Sequence, residues 1–165
     1  MNLTAAQAQP VPMFELATQY QRIRNEIEAA VRAVLDSQQY CSGASSGPFI
    51  GQFEENLGRR LAAHVVGLSS GTDAILAALM TLKLHPGDEV ITTPFTFFAT
   101  AGCISRVGAK PMFVDIDLDT FMMQLDAVPA AATSRSRALV PVHLYGQMLD
   151  TEKLAELSGR LSVPV

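Results

Sequence analysis

The chain has 165 residues, 48% hydrophobic and only 17% charged, which suits one packed globular domain and excludes a disordered chain. Its net charge of −4, with no cluster of Lys and Arg, argues against nucleic acid and against a membrane surface held by charge. No apolar run is long enough for a bilayer, Met1–Pro12 lacks the marks of a secretory signal, and Cys41 and Cys103 have no metal-ligand spacing. The expectation is a cytoplasmic protein with reduced thiols, Cys103 buried within a helix.

Residues 1–13 read as a flexible leader, and 14–165 as the structured part. A first helix is predicted from about Thr18 to Leu35, with Tyr20, Ile23, Ile27, Val31, Val34 and Leu35 on one face. A Gly/Ser-rich loop, Ser42–Pro48, follows. A second helix begins near Gly51, with Phe53, Leu57 and Leu61 facing inward. From Val65 onward strands and helices alternate. The predicted strands are Val65–Leu68, Glu89–Thr93, Pro111–Asp115 and Ala138–His143. The predicted helices are Thr72–Leu82, Phe97–Val107, Asp126–Ala132 and Thr151–Leu161. Alternation of this kind specifies an α/β fold with a mostly parallel sheet and flanking helices. Val163-Pro164-Val165 reads as the start of a further strand, so the chain is expected to stop partway through its sheet.

Ligands of open α/β sheets gather outside the carboxyl ends of the strands. Three such ends carry distinctive chemistry. At the first, Ser69-Ser70-Gly71-Thr72-Asp73 joins an apolar run to a helix. Ser70 can cap that helix and Asp73 can answer it in capping-box spacing. The unpartnered first amides and the positive end of the helix suit a phosphate, Gly71 lets it approach, and the Ser70 and Thr72 hydroxyls can add donors. A plain helix cap is the competing reading. At the second end, Phe95, Phe97 and Phe98 can all be core, but at a helix start they cannot all point the same way, so one is expected to face a ligand and the others to pack. At the third, His143, Tyr145 and Gln147 follow a strand. His143 can serve as a general base, a metal ligand or a packed or pocket-lining histidine. His64 and His85 are not spaced to complete a zinc site. Asp115 and Asp117 suit a turn better than a catalytic carboxylate pair.

These segments together resemble the N-terminal part of a DegT/StrS-type aminotransferase. The resemblance rests on Gly47-Pro48 with Phe53-Glu54, on Ser70–Ala74, on Pro86–Ile91, on Pro94–Ala101, on Phe113–Asp117 and on Pro141–Gln147. It implies the large domain of the fold type I pyridoxal 5'-phosphate (PLP)-dependent transferases, truncated, with 14–165 as its N-terminal part. It further implies PLP as cofactor, a nucleotide-linked keto sugar as substrate, an amino-acid amino donor such as glutamate, and a homodimer. Ser70, Gly71 and Thr72 would bind the cofactor phosphate and Phe97 would lie against the pyridine face. His143, Tyr145 and Gln147 would line the pocket. The Gly43–Gly47 loop is similar to a segment near the partner's active site, or is a plain linker.

Two departures matter. The chemistry needs a lysine to hold the cofactor as a Schiff base and an acid beside the pyridine nitrogen. In the family both follow the stretch that ends at Val165. Lys83, Lys110 and Lys153 are not placed for that role, so the chain is expected to contain no catalytic residue and to be inactive alone. A sugar dehydratase of the same family and a non-catalytic module of the same fold are the alternatives.

Overall fold

A computed structural model of the chain describes residues 11–40 and 48–165. The leader up to residue 10, Cys41 and the Gly43–Gly47 loop lie outside the described residues. The chain divides into two units, Met1–Gly67 and Leu68–Val165.

The first unit holds α1 (Ala17–Ser37) and α2 (Pro48–Leu61). Glu15 accepts the Thr18 amide at 3.1 Å, placing an acid at the positive end of α1. Gln38 closes the helix in the left-handed region at φ 55°. The apolar residues of α1 share the expected stripe, yet Ile23, Ile27, Val31 and Leu35 are all exposed. The inward reading of α2 needs correction too. Phe53 and Leu61 are exposed, and Leu57 is half-buried. Helical periodicity fixes which residues share a face, and something else must cover that face. Glu54 Oε1 accepts the Gly67 amide at 2.7 Å, anchoring the segment after α2.

The expected strand Val65–Leu68 is absent. A strand exists only where a neighbouring backbone takes its hydrogen bonds, and none among the described residues does so here.

The second unit is built on three parallel strands, β1 (Glu89–Thr92), β2 (Lys110–Phe113) and β3 (Ser136–Leu139), in the order β2-β1-β3. The central strand β1 is buried at all four positions, as a strand covered on both faces must be. Its side chains alternate between two cores. Val90 packs with Leu79, Cys103, Ile104 and Ala138, a core completed by α3 (Gly71–Thr81) and α4 (Ala99–Arg106). Ile91 packs with Leu139, Val114 and Val128, a core that takes in Leu154 and Leu157 of the last helix.

The edges are handled differently. Lys110 and Val114 donate to Asp88 and Thr92 on the β1 side, so the Pro111 nitrogen falls on the outer edge, where no amide is needed. On the other side, Leu139 donates to the Pro164 carbonyl at 2.9 Å. The expected strand start at Val163–Val165 therefore lies along β3, though it makes too few bonds to count as a strand.

Other boundaries shift for local reasons. The predicted strand Ala138–His143 is observed as Ser136–Leu139, and Pro141 has no amide with which to prolong it. The predicted helix Asp126–Ala132 is a 3₁₀ turn, Leu125–Ala127, followed by the short α5 (Val128–Ala131) with Pro129 in its first turn. The last helix, α6, spans Thr151–Leu161 as expected, with Asp150 accepting the Lys153 amide. From α3 the chain enters β1 through a turn at Gly87, whose φ of 97° suits glycine. The C-terminus of α3 thus lies at the start of the sheet. Its eleven residues, about 16 Å long, carry its N-terminus toward the carboxyl ends of the strands.

Candidate functional site

The Ser69–Asp73 turn folds as a reciprocal cap. Ser70 is the N-cap residue of α3, and its Oγ accepts the Asp73 amide at 3.1 Å. Its hydroxyl donates to Asp73 Oδ2 at 3.0 Å, and the Ser69 hydroxyl donates to the same oxygen. These donors, Ser69 first and Ser70 next, hold the Asp73 carboxyl below its ordinary value against the cost of burial, with the charge of Arg106 in support. The Ser70 hydroxyl is therefore engaged on both sides by Asp73. Asp73 is the anchor that sequence reading cast only as a capping partner. The Ser-Ser-x-x-Asp spacing was the signal for its second bond.

What remains free is the backbone. Among the described residues the amides of Gly71 and Thr72 donate to nothing, as expected of the first turn of a helix. A Cβ built on Gly71 meets no atom within 4 Å, so open space lies in front of it. Thr72 lines an open cavity of about 570 Å³ with Phe97, Phe98, Gly102, Cys103 and Arg106. Cys103 is buried as expected and its thiol reaches the Thr72 carbonyl at 3.3 Å, which fixes the start of α3 against α4.

Phe97 is 76% exposed at the mouth of α4, beside Thr72 in the same cavity. Its carbonyl accepts the Thr100 amide at 3.1 Å, which sets the backbone. The expectation that the neighbouring rings pack into the core is corrected. Phe98 is exposed and lies over Gly102, where a Cβ would come within 3.0 Å of its ring. Phe95 is half exposed and pairs with Phe121, with ring centroids 5.9 Å apart. These rings follow β1 beyond the sheet, and among the described residues no second layer covers them.

Asp117 is a turn residue. Its Oδ1 accepts the Asp119 amide at 3.1 Å and the Thr120 amide and hydroxyl at 2.9 Å each. Those donors, led by Thr120, lower its carboxyl and help hold Phe121 at φ 58°. Asp115 Oδ1 accepts the amide of Ile116 at 2.7 Å.

The third segment leaves β3 after Val140, whose amide donates to Ile91 at 2.8 Å. His143 Nδ1 accepts the Leu149 amide at 3.1 Å. Tyr145 is fully exposed at φ 53°, and Gly146 follows at φ 86°. Gln147 lies in a separate hollow of about 480 Å³ with Thr120 and Lys153. The structure thus brings Thr72 and Phe97 into one cavity. His143, Tyr145 and Gln147 share the same end of the sheet without lining that cavity. Among the described residues, no group of His, Cys, Asp and Glu is arranged to hold a metal ion.

The lysines divide by sheet end. Lys83 follows α3 and Lys110 opens β2, both at the amino ends of the strands. Lys153 lies in the first turn of α6 on the carboxyl side, where its Nζ pairs with Asp126 at 2.5 Å.

The second unit is thus a parallel α/β sheet with the first turn of a helix and an aromatic residue lining one cavity at its carboxyl end. The chain belongs to the DegT/DnrJ/EryC1/StrS aminotransferase family, whose model matches residues 21–165. It is 44% identical over 151 residues to the pleiotropic regulatory protein of Geobacillus stearothermophilus, covering 91% of this chain and 40% of that protein. It is 36% identical to the UDP-2-acetamido-2-deoxy-3-oxo-D-glucuronate aminotransferase of Pseudomonas aeruginosa, covering 94% of this chain and 42% of that one. Among solved structures it matches NtdA of Bacillus subtilis with bound cofactor PMP, at a TM-score of 0.81 and 31% identity, over 96% of this chain and 37% of that one. The fold is that of the PLP-dependent aminotransferases. The chain spans about 40% of the length of the curated relatives it matches.

Proposed function

We propose that this chain supplies the phosphate cradle and one face of the ring pocket of a PLP-dependent aminotransferase that acts on a nucleotide-linked keto sugar. The observation that carries this is that the Gly71 and Thr72 amides have no partner among the described residues, that open space lies before Gly71, and that Thr72 shares a cavity with the exposed Phe97. The residues present fit the cofactor at both of its ends. Gly71 and Thr72 offer two backbone donors and a hydroxyl to a phosphate, and Phe97 offers a ring face to a flat heterocycle. When bound, the pyridoxal ring serves as an electron sink. Asp73 stays out of the cradle because Ser69 and Ser70 hold its carboxylate.

On this reading the lysine and the acid that complete the pocket lie beyond Val165, the working enzyme is a homodimer, and the amino donor is an amino acid such as glutamate. The relatives' names support the sugar-nucleotide substrate, and the chain's share of their length supports a part of a larger enzyme. The regulatory name of the Geobacillus protein favours a second reading, a module of this fold whose role is regulation.

Two measurements test the proposal. Borohydride reduction with PLP, followed by peptide mapping, should label no single lysine of this chain stoichiometrically. Stoichiometric labelling of Lys153, the lysine on the carboxyl side, would overturn the missing-lysine reading. In the full-length protein, Gly71→Val should abolish cofactor binding without a steric cost inside the protein, because its Cβ meets nothing. Cofactor affinity equal to wild type would remove this turn from the site, and a full-length protein that binds no cofactor would promote the regulatory module.

A further inference from the structure

The segment after β3 contains a side chain whose role the cofactor reading leaves open. His143 holds its own loop from both ends. Its carbonyl accepts the Gly146 amide at 3.1 Å, and its ring Nδ1 accepts the Leu149 amide at 3.1 Å. A backbone N–H can only donate, so Nδ1 must present a lone pair. The neutral ring then carries its proton on Nε2. Among the described residues Nε2 has no partner, and His143 itself is exposed. The loop it closes contains a bulky residue in the left-handed region, Tyr145 at φ 53°, a conformation that persists only where its surroundings enforce it. The Leu149 side chain is buried in the core beside Ile91 and Leu139, so the clamp joins the loop to the sheet.

We infer that His143 is a positioning residue. It locks the 143–149 loop through Nδ1 and keeps its proton on Nε2, which has no partner among the described residues. A ring in this tautomer has no lone pair on its open side. It is therefore neither the general base nor the metal ligand that its residue type allows.

The test uses the whole chain, labelled with ¹⁵N at histidine. In mildly alkaline solution, long-range ¹H–¹⁵N correlations should show His143 with its proton on Nε2. His64 and His85 serve as references, assigned through His64→Gln and His85→Gln. His143→Ala should speed hydrogen exchange of the Leu149 amide about tenfold, and amides of β1 should keep their protection. His143→Asn, whose oxygen can stand where Nδ1 stands, should restore most of the protection, and His143→Gln should not. A proton on Nδ1 overturns the inference, and so does a Leu149 amide that exchanges alike in wild type and His143→Ala. If His143→Ala unfolds the sheet, the wild-type tautomer decides alone.

Discussion

The two ends of the same parallel sheet are built in opposite ways. At the amino end, Glu89 is buried to 1% exposure and fully engaged. It accepts the Thr133 hydroxyl at 2.5 Å and the Arg135 guanidinium at 2.6 Å, which ties the start of β1 to the approach to β3. Asp88 beside it accepts the His85 amide at 2.8 Å and pairs with Arg137 at 3.0 Å. At the carboxyl end the Gly71 and Thr72 amides have no partner among the described residues, Phe97 is exposed, and two aromatic residues sit at positive φ. Polar groups at the amino end serve one another. Those at the carboxyl end are held in place with donors to spare. The proposed ligand chemistry lies at the second end, where ligands of open α/β sheets gather.

The sharpest way to break this contrast is to compare one substitution in the scaffold with one at the rim. Ile104 is fully buried in the core between β1 and α4. Ile104→Ala should cost about 2–5 kcal/mol of stability, through lost burial and the cavity it leaves. Phe97→Ala removes more atoms yet should change stability by only about 0.5 kcal/mol, because its ring is in solvent. In the full-length protein Phe97→Ala should instead weaken cofactor binding by about 0.5–1.5 kcal/mol. Denaturant melts and cofactor titrations of both variants would read this. A Phe97→Ala variant as unstable as Ile104→Ala would make Phe97 a core residue.

A smaller effect separates the carboxylates of the two ends. The Thr133 hydroxyl, then the Arg135 guanidinium, hold Glu89 below its ordinary value of 4.5 against the cost of burial. In the unfolded chain Glu89 takes up its proton near that ordinary value, and in the folded chain it does so only at lower pH. Its pairing therefore stabilises fully at neutral pH and is lost as pH falls below 4.5 through the folded value. Glu89→Gln should flatten the acid limb of the stability profile. Asp73→Asn should flatten it less, since the two serine hydroxyls that hold Asp73 are exposed to competing water. Equal slopes in the two variants would erase the distinction between the ends.

Much of this organisation could be read from residue order. The Ser70–Asp73 cap, the buried Cys103, the Asp117 turn and the whole of α6 follow from local spacing, and the structure shows each. The missing strand at Val65–Leu68 was not legible, because an apolar run cannot state whether a partner strand exists. The exposure of α1 was hidden for the same reason. The Glu89–Thr133–Arg135 group joins residues more than forty positions apart, so no window of sequence contains it. At the candidate site, the residue types pointed to Ser70, Gly71, Thr72 and Phe97. They did not show that Asp73 would consume the Ser70 hydroxyl, or that the Leu149 amide would fix the ring of His143. Those assignments depend on which groups the folded backbone brings within reach of each other.

The finest cut falls between two hydroxyls of one turn. Ser70 and Thr72 both read as phosphate donors in the sequence. In the fold the Ser70 oxygen caps α3 and its hydrogen goes to Asp73, whereas the Thr72 hydroxyl has no partner among the described residues, and Thr72 lines the cavity with Phe97. Ser70→Ala should therefore cost about 1 kcal/mol of stability, the usual loss of an N-cap, and leave cofactor affinity in the full-length protein nearly unchanged. Thr72→Ala should do the reverse, with stability almost intact and affinity reduced by the about 0.5–1.5 kcal/mol of one hydrogen bond. Melting curves and cofactor titrations on the same two preparations separate the roles. If Ser70→Ala weakens the cofactor as much as Thr72→Ala does, the Ser70 hydroxyl leaves Asp73 when phosphate arrives. The cap and the cradle would then be one device with two states.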